Sequence, residues 1–360
     1  MKNVLLLLSG GTICSSVTKK GTLSVNGQAG TMLKKRYYDS KPAFGKKAVK
    51  ISETENLFIL SENMTVKKWN LMAKTLRDYQ KTGKYDGIII AHGTDTLAYS
   101  AALFSILLNR TDIPVFFVSA NRRLGDERSN GDQNFRTAVE CICYGIRPGV
   151  YVTYRNISNG KTYLHFASRI RQCANYSEDF LSDGMLLLSS FTKEGYEALF
   201  SRLEKRFPRK EFPVSVDFTK MKALSNCVLY LPPYVGMNYE AYCYEKFKAV
   251  LHGSYHSGTA CAEQTEDVRE YGENSILRMM DLCEKNRVDL YISPSKAEGE
   301  VYDTVRIIAE HKAGEKKINF LYGTTNETAY AKLLIAYSLF TKKEKIQKFL
   351  ETEFDYEFVR

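Results

Sequence analysis

None of the eight cysteines forms a CxxC pair, and the five histidines (92, 165, 252, 256 and 311) fall in no zinc-ligand spacing. A structural metal is therefore not expected, and unpaired thiols fit a reducing, cytoplasmic setting. No apolar run approaches the ~18 residues of a membrane span. The run near the start, Val4 to Leu8, is shorter than the roughly 7 to 15 residues of a secretory leader's apolar segment and reads as a buried first strand. Internal repeats and low-complexity segments are absent, and no arm or tail is basic. Lys+Arg number 51 against 41 Asp+Glu, a net charge of +10. The basic residues lie in short clusters such as Lys34-Lys35-Arg36, Lys46-Lys47 and Lys205-Arg206, mixed with acids and apolar residues. That pattern describes a solvated surface, so neither nucleic acid nor membrane is expected as a partner.

What is present is an ordinary folded composition, 44% hydrophobic and 26% charged over 360 residues, enough for two domains at roughly 150 residues each. Short apolar runs at Val4 to Leu8, Gly87 to Ile90, Val115 to Val118 and Val150 to Tyr154 alternate with helical patterns over Val66 to Thr82, Thr96 to Leu108 and Asn134 to Gly145. Such alternation predicts an α/β fold, with a larger N-terminal, mostly parallel sheet covered by helices. A charged stretch punctuated by Pro208 and Pro213 predicts a linker over 192–225, between an N-terminal domain at 1–191 and a smaller C-terminal α/β domain at 226–360. In the latter, strands are expected at Cys227 to Leu231, Val250 to Gly253, Leu290 to Ser293 and Phe320 to Tyr322. Helices are expected at Tyr239 to Lys248 and Ser275 to Asn286, Tyr302 to His311 continues the alternation, and a final helical pair closes it.

Two stretches place small polar residues where strands end. In Ser9-Gly10-Gly11-Thr12-Ile13, two glycines permit close backbone approach and a threonine follows at once. In Ala91-His92-Gly93-Thr94-Asp95-Thr96, an apolar strand runs through Gly, Thr and Asp into a helix whose first amides suit an anion or oxyanion. Singly, each reads as a tight turn or an N-cap. Together they supply a hydroxyl nucleophile and activating polar groups. His92 reads as a packing and hydrogen-bonding residue, and Cys141-Ile142-Cys143 as core.

With Ser61-Glu62-Asn63-Met64-Thr65 between them, and Phe117-Val118-Ser119-Ala120 and Asp126 to Asn134 after them, these stretches resemble the bacterial-type L-asparaginase (asparaginase/glutaminase) family, closest to its cytosolic type I branch. The resemblance implies the two-domain asparaginase architecture and hydrolysis of the side-chain amide of L-asparagine, or of L-glutamine, to a carboxylate and ammonia, with no cofactor and no metal. Thr12 is the implied nucleophile, with Thr94 and Asp95 the second half of the catalytic apparatus. Ser61 is implied to bind the α-carboxylate and Glu62 with Asp95 the α-amino group, while Gly11, Gly93 and Ala120 complete the binding set. It also implies a homo-oligomer, a dimer or a tetramer, with Glu327 a contributor to a neighbour's site and Ser257-Gly258-Thr259 standing where many members have an asparagine.

Two departures stand out. The family's lysine after the strand near residue 150 has no counterpart, because no lysine occurs between Lys161 and Lys193. Arg169, Arg171 or Gln172 takes its place, and Arg169 joins the expected catalytic set, although an arginine is a poor base. The loop Gly21-Thr22-Leu23-Ser24-Val25 also lacks the family's tyrosine. Three readings follow: an active amidohydrolase, a weakened amino-acid sensor on the same fold, and an amidase acting on a tRNA-linked amino acid.

Overall fold

The computed structural model describes residues 1–17, 23–25, 28–45, 48–55, 57–264, 271–295, 302–314 and 316–359. The chain divides into two compact units. The first comprises Met1–Met221 with Phe354–Tyr356, and the second Lys222–Glu353 with Glu357–Arg360.

The first unit holds strands β1 (Lys2–Leu8), β2 (Ser15–Val17), β3 (Leu23–Val25), β4 (Val49–Glu53), β5 (Gly87–Ala91), β6 (Pro114–Val118), β7 (Gly149–Arg155), β8 (Thr162–Phe166), β9 (Ile170–Arg171), β10 (Leu181–Ser182) and β11 (Leu186–Leu188). Its helices are α1 (Ala29–Asp39), α2 (Val66–Gln80), α3 (Leu97–Leu107), α4 (Gly131–Tyr144) and α5 (Lys193–Arg206). Seven strands form one sheet in the order β11-β8-β7-β6-β5-β1-β4. Its five strands from β7 to β4 pair in parallel, and β8 and β11 add an antiparallel edge. Parallel strands are buried on both faces, which is why β5 and β6 read as unbroken apolar runs. Leu6, Ile89, Phe116 and Tyr151 pack with residues of α1, α4 and α5 in one cluster. On the other face Phe117 meets Phe104 of α3, their rings 5.9 Å apart. Helix α3 buries every residue except Tyr99, so it carries no polar stripe. Helix α5 lies inside the stretch expected as a linker. Its Tyr196, Leu199 and Leu203 are buried in the first unit's core, so the apolar face of that charged helix packs as a core element.

The second unit is built on a parallel sheet of β12 (Val228–Leu231), β13 (Ala249–Gly253), β14 (Asp289–Ser295) and β17 (Asn319–Tyr322), in that order. It also holds the short pair β15 (Lys312–Ala313) and β16 (Lys316–Lys317), and helices α6 (Ile276–Lys285), α7 (Asp303–Glu310), α8 (Asn326–Leu339) and α9 (Lys343–Glu351). The helix expected over Tyr239 to Lys248 does not form. Two single turns, Tyr239–Ala241 and Tyr244–Lys246, stand there instead. The Tyr239 hydroxyl reaches His252 Nε2 at 2.7 Å, and the Tyr244 hydroxyl donates to the Tyr239 carbonyl at 2.7 Å. These buried anchors outweigh a helical propensity that is only a weak prior. Among the described residues no helix is long and apolar enough to cross a membrane.

Candidate active site

Parallel sheets present ligand-binding residues beyond the carboxyl ends of their strands, and here three such ends are stitched together. Past β1, the Ser9 hydroxyl donates to the Ala91 carbonyl at the end of β5 (2.6 Å). The Ile59 amide donates to Ser9 O (2.8 Å) and the Gly11 amide to Ile59 O (3.0 Å). Gly11 has φ +76°, and a Cβ there would lie 2.2 Å from Gly93 Cα. Only glycine fits that contact. It sets Thr12 and Thr94, each one residue further on, beside the same backbone crossing. Thr12 opens a short turn, half-buried, with Ile13 and Cys14 buried behind it.

Ser61 closes the group from the β4 side. A Cβ on Gly93 would lie 2.3 Å from Ser61 Oγ, so the serine sits directly against that glycine. Its hydroxyl donates to Asp95 Oδ2 at 3.2 Å, and the Thr96 hydroxyl donates to the Ser61 carbonyl at 3.0 Å. Ser61 is buried, whereas Glu62 and Asp95 are exposed and available to a ligand. His92 Nδ1–H donates to the Gly93 carbonyl at 2.8 Å. Burial pushes its pKa down to about 4, so the ring is neutral at pH 7 and holds the turn instead of taking a proton. Ala120 is buried just past β6, and the next residue, Asn121, exchanges backbone and side-chain hydrogen bonds with Asn130 at 2.9 and 3.1 Å.

The structure does not bring Arg169 to this group. Its Nη1 donates to Asp183 Oδ2 at 2.6 Å, its Nε donates to the Tyr356 carbonyl, and its guanidinium stacks on the Phe207 ring at 5.0 Å. A buried guanidinium needs such partners, and Asp183 supplies the countercharge. Arg171 is exposed. Gln172 takes the position beside Thr94: its Nε2 donates to Thr94 O at 2.7 Å, and its Oε1 accepts from the Ala98 amide at 3.3 Å. One side chain thus spans the Thr94 turn and the start of α3.

Thr94, Asp95 and Gln172 also border a cavity of about 420 Å³, completed by Asn121, Tyr154 and the segment Cys173 to Glu178. Sequence reasoning missed these last contributors, since they come from separate segments and carry no local signature. The Cys173 thiol is pushed up to about 12 by burial and donates to Asp179 O, so it is neutral and not a nucleophile. No group of three or more His, Cys, Asp or Glu among the described residues is arranged to hold a metal ion. Glu327, buried at the start of α8, and the hydroxyl pair Ser257–Thr259 (2.9 Å) belong to the second unit. Of the loop expected to lack the family tyrosine, Gly21 and Thr22 lie outside the described residues, as does the cluster Lys46-Lys47.

The family profile described as "Asparaginase, N-terminal" matches residues 3–193. Among curated proteins, the chain is similar to a glutamyl-tRNA(Gln) amidotransferase subunit of Methanothermobacter thermautotrophicus. They are 31% identical over 149 residues, 41% of this chain and 34% of that protein. The protein of the same name from Methanococcus maripaludis is 31% identical over 182 residues, 50% of this chain and 41% of that protein. The chain thus spans less than half the length of these relatives. Among solved structures, the thermostable L-asparaginase from Thermococcus kodakarensis shares the fold with a TM-score of 0.69 at 19% identity, covering 99% of each chain. L-asparaginase I from Vibrio cholerae does so with a TM-score of 0.67 at 22% identity, over 100% of this chain and 99% of its own. A probable cytoplasmic L-asparaginase from Campylobacter jejuni gives 0.68 at 18%, over 98% and 100%.

Proposed function

The chain belongs to the asparaginase family, and on that premise we propose that it is an amidohydrolase cleaving the side-chain amide of L-asparagine or L-glutamine with Thr12 as nucleophile. The observation that carries this reading is the Gly11–Gly93 contact, which sets two strand-end threonines beside one crossing with Ser61 and Asp95 hydrogen-bonded next to it. Ser61 receives the α-carboxylate, and the exposed carboxylates of Glu62 and Asp95 hold the α-ammonium, a charge-assisted pairing that selects a free amino acid. Thr12 Oγ adds to the amide carbon, the C–N bond breaks, and the amine leaves with the hydroxyl proton. Water then cleaves the ester, releasing the carboxylate and restoring Thr12. Thr94 and Asp95 assist the proton movements, and Gln172 keeps their turn in place. The protein works without cofactor or metal, as a homo-oligomer of two or four copies in the cytoplasm.

The test is ammonia release from L-asparagine and L-glutamine by the wild type and by Thr12→Ala. The expected result is turnover that Thr12→Ala reduces by at least about a hundredfold while the fold survives; undiminished release from Thr12→Ala sinks the assignment.

One observation favours a second reading. Gln172, at the position beside Thr94, has no titratable proton, which fits a protein that binds an amino acid and turns it over little. Thermal stabilisation by asparagine, aspartate or glutamine without ammonia release selects that reading. The names of the curated relatives favour a third, an amide-cleaving protein serving a tRNA-linked amino acid. It requires tRNA affinity that falls steeply with salt.

A further inference from the structure

The cavity beside Thr94 shares only Thr94 and Asp95 with the residues assigned above to the substrate. Thr12, Ser61 and Glu62 are not among its lining residues. On the Ser61 flank, Gly11, Gly93 and Ser61 are in backbone and side-chain contact. An acyl group anchored by Ser61 and Glu62 and attacked by Thr12 occupies that packed flank. Whatever is bonded to the far side of the reacting carbonyl, the amine, faces the Gln172 flank, where the structure opens into about 420 Å³. This is the size of pocket that takes a drug-sized ligand, far more than an ammonia molecule needs.

The lining is polar and carries carboxylates without a lysine or arginine. Glu178 is exposed toward solvent and accepts from Asn121 Nδ2 at 2.8 Å, which leaves lone pairs for a further donor. Arg128, which interacts with it through space, is held by Asp126 through two hydrogen bonds of 3.0 and 2.9 Å. Tyr154 is buried at the cavity wall beside the Asn130 side chain, which accepts from the Asn121 amide, donates to the Arg155 carbonyl and keeps a second amide hydrogen for the Tyr154 oxygen.

We propose that this cavity receives the amine half of the substrate, so that the chain cleaves N-substituted side-chain amides of aspartate or glutamate whose amine bears a short tail ending in an ammonium group held by Glu178. The inference rests on the amidohydrolase reading and names its substrate class. The chemistry is that of the unsubstituted amide: Thr12 Oγ bonds to the carbonyl carbon, the C–N bond breaks, and the substituted amine departs with the proton. Water then hydrolyses the ester to the carboxylate.

The experiment compares kcat/KM of the full chain for L-glutamine, its N-butyl amide and its N-(aminobutyl) amide, and for the asparagine set, in wild type and in Glu178→Gln. The expected result is a preference for the aminobutyl over the butyl amide of about tenfold, the value of one charge-assisted hydrogen bond, which Glu178→Gln removes. Glu178 is exposed, so the variant keeps its fold. Equal rates for the two substituted amides, a preference that survives Glu178→Gln, or cleavage confined to the unsubstituted amides each overturns the proposal and leaves the amidohydrolase reading standing. No cleavage of any amide overturns both.

Discussion

The side-chain amide of Gln172 bridges the Thr94 carbonyl, at 2.7 Å, and the Ala98 amide, at 3.3 Å. A neutral group therefore holds the turn that carries Thr94 and Asp95 and caps the first amides of α3. The amide has both a donor and an acceptor, so it makes both bonds at once, which a lysine cannot do.

Replacement of Gln172 by alanine is expected to lower kcat about tenfold, since a loosened turn misplaces its polar groups by a fraction of an ångström. Gln172→Lys introduces a titratable amine beside Thr94, and its pH–rate profile is expected to gain a limb rising with pH that the wild type lacks. Identical profiles for wild type and Gln172→Lys refute this role for the position.

Gly93→Ala is expected to destabilise the first unit by about 1 to 3 kcal/mol, as overpacking does, because its Cβ would meet Ser61 Oγ at 2.3 Å and Ser61 Cβ at 2.6 Å. It also displaces Ser61, so the stabilisation of the protein by aspartate falls with it. Gly11→Ala is expected to be worse. There the clash is with the backbone of Gly93 and the φ of +76° disfavours any side chain. Thermal melts with and without ligand measure both effects.

Acid lability follows from three buried histidines. Burial lowers His92 to about 4, His165 to about 3 and His252 to about 4, against an ordinary value of 6.5. Below pH 6.5 the unfolded chain takes up protons that the native state refuses. Stability is thus full above pH 6.5 and falls as pH drops through 4. A melting temperature that is flat between pH 7 and 4 contradicts this, and His165→Asn is expected to make the decline shallower.

In the second unit, Lys332 of α8 is buried with Glu357 at 2.9 Å and donates to the Thr352 carbonyl at 2.6 Å. Lys332→Met is expected to cost about 3 to 5 kcal/mol by removing the cation from a buried carboxylate, and Lys332→Met with Glu357→Leu to recover most of that loss. Denaturant melts of the single and double variants give the coupling directly.

The parts of the fold that were legible lie in short windows. Apolar runs marked β1, β5, β6 and β7, the last broken only by Thr153, because strands buried on both faces leave little room for polar alternation. Gly10 and Gly11 were legible as points of close backbone approach because glycine alone has no side chain in the way, although the contact of Gly11 with Gly93 was not. The helix expected over Tyr239 to Lys248 had the right periodicity, yet hydroxyl anchors to His252 and to the Tyr239 carbonyl drew the segment into separate turns. Helix α5 read as part of a charged linker and not as core, since its burying partners stand elsewhere in the chain.

By itself, then, the sequence determined the alternation of strands and helices, the strand-end threonines and the absence of a lysine between Lys161 and Lys193, all properties of local turn chemistry and periodicity. Only the tertiary structure decided that Gln172 and not Arg169 stands beside Thr94, and that Asn121, Tyr154 and Glu178 share a cavity with it. The choice turns on partners far along the chain. Asp183 and the carbonyl of Tyr356 draw the guanidinium of Arg169 away, and a buried charge goes where its countercharge and hydrogen bonds are, which no local window of sequence contains.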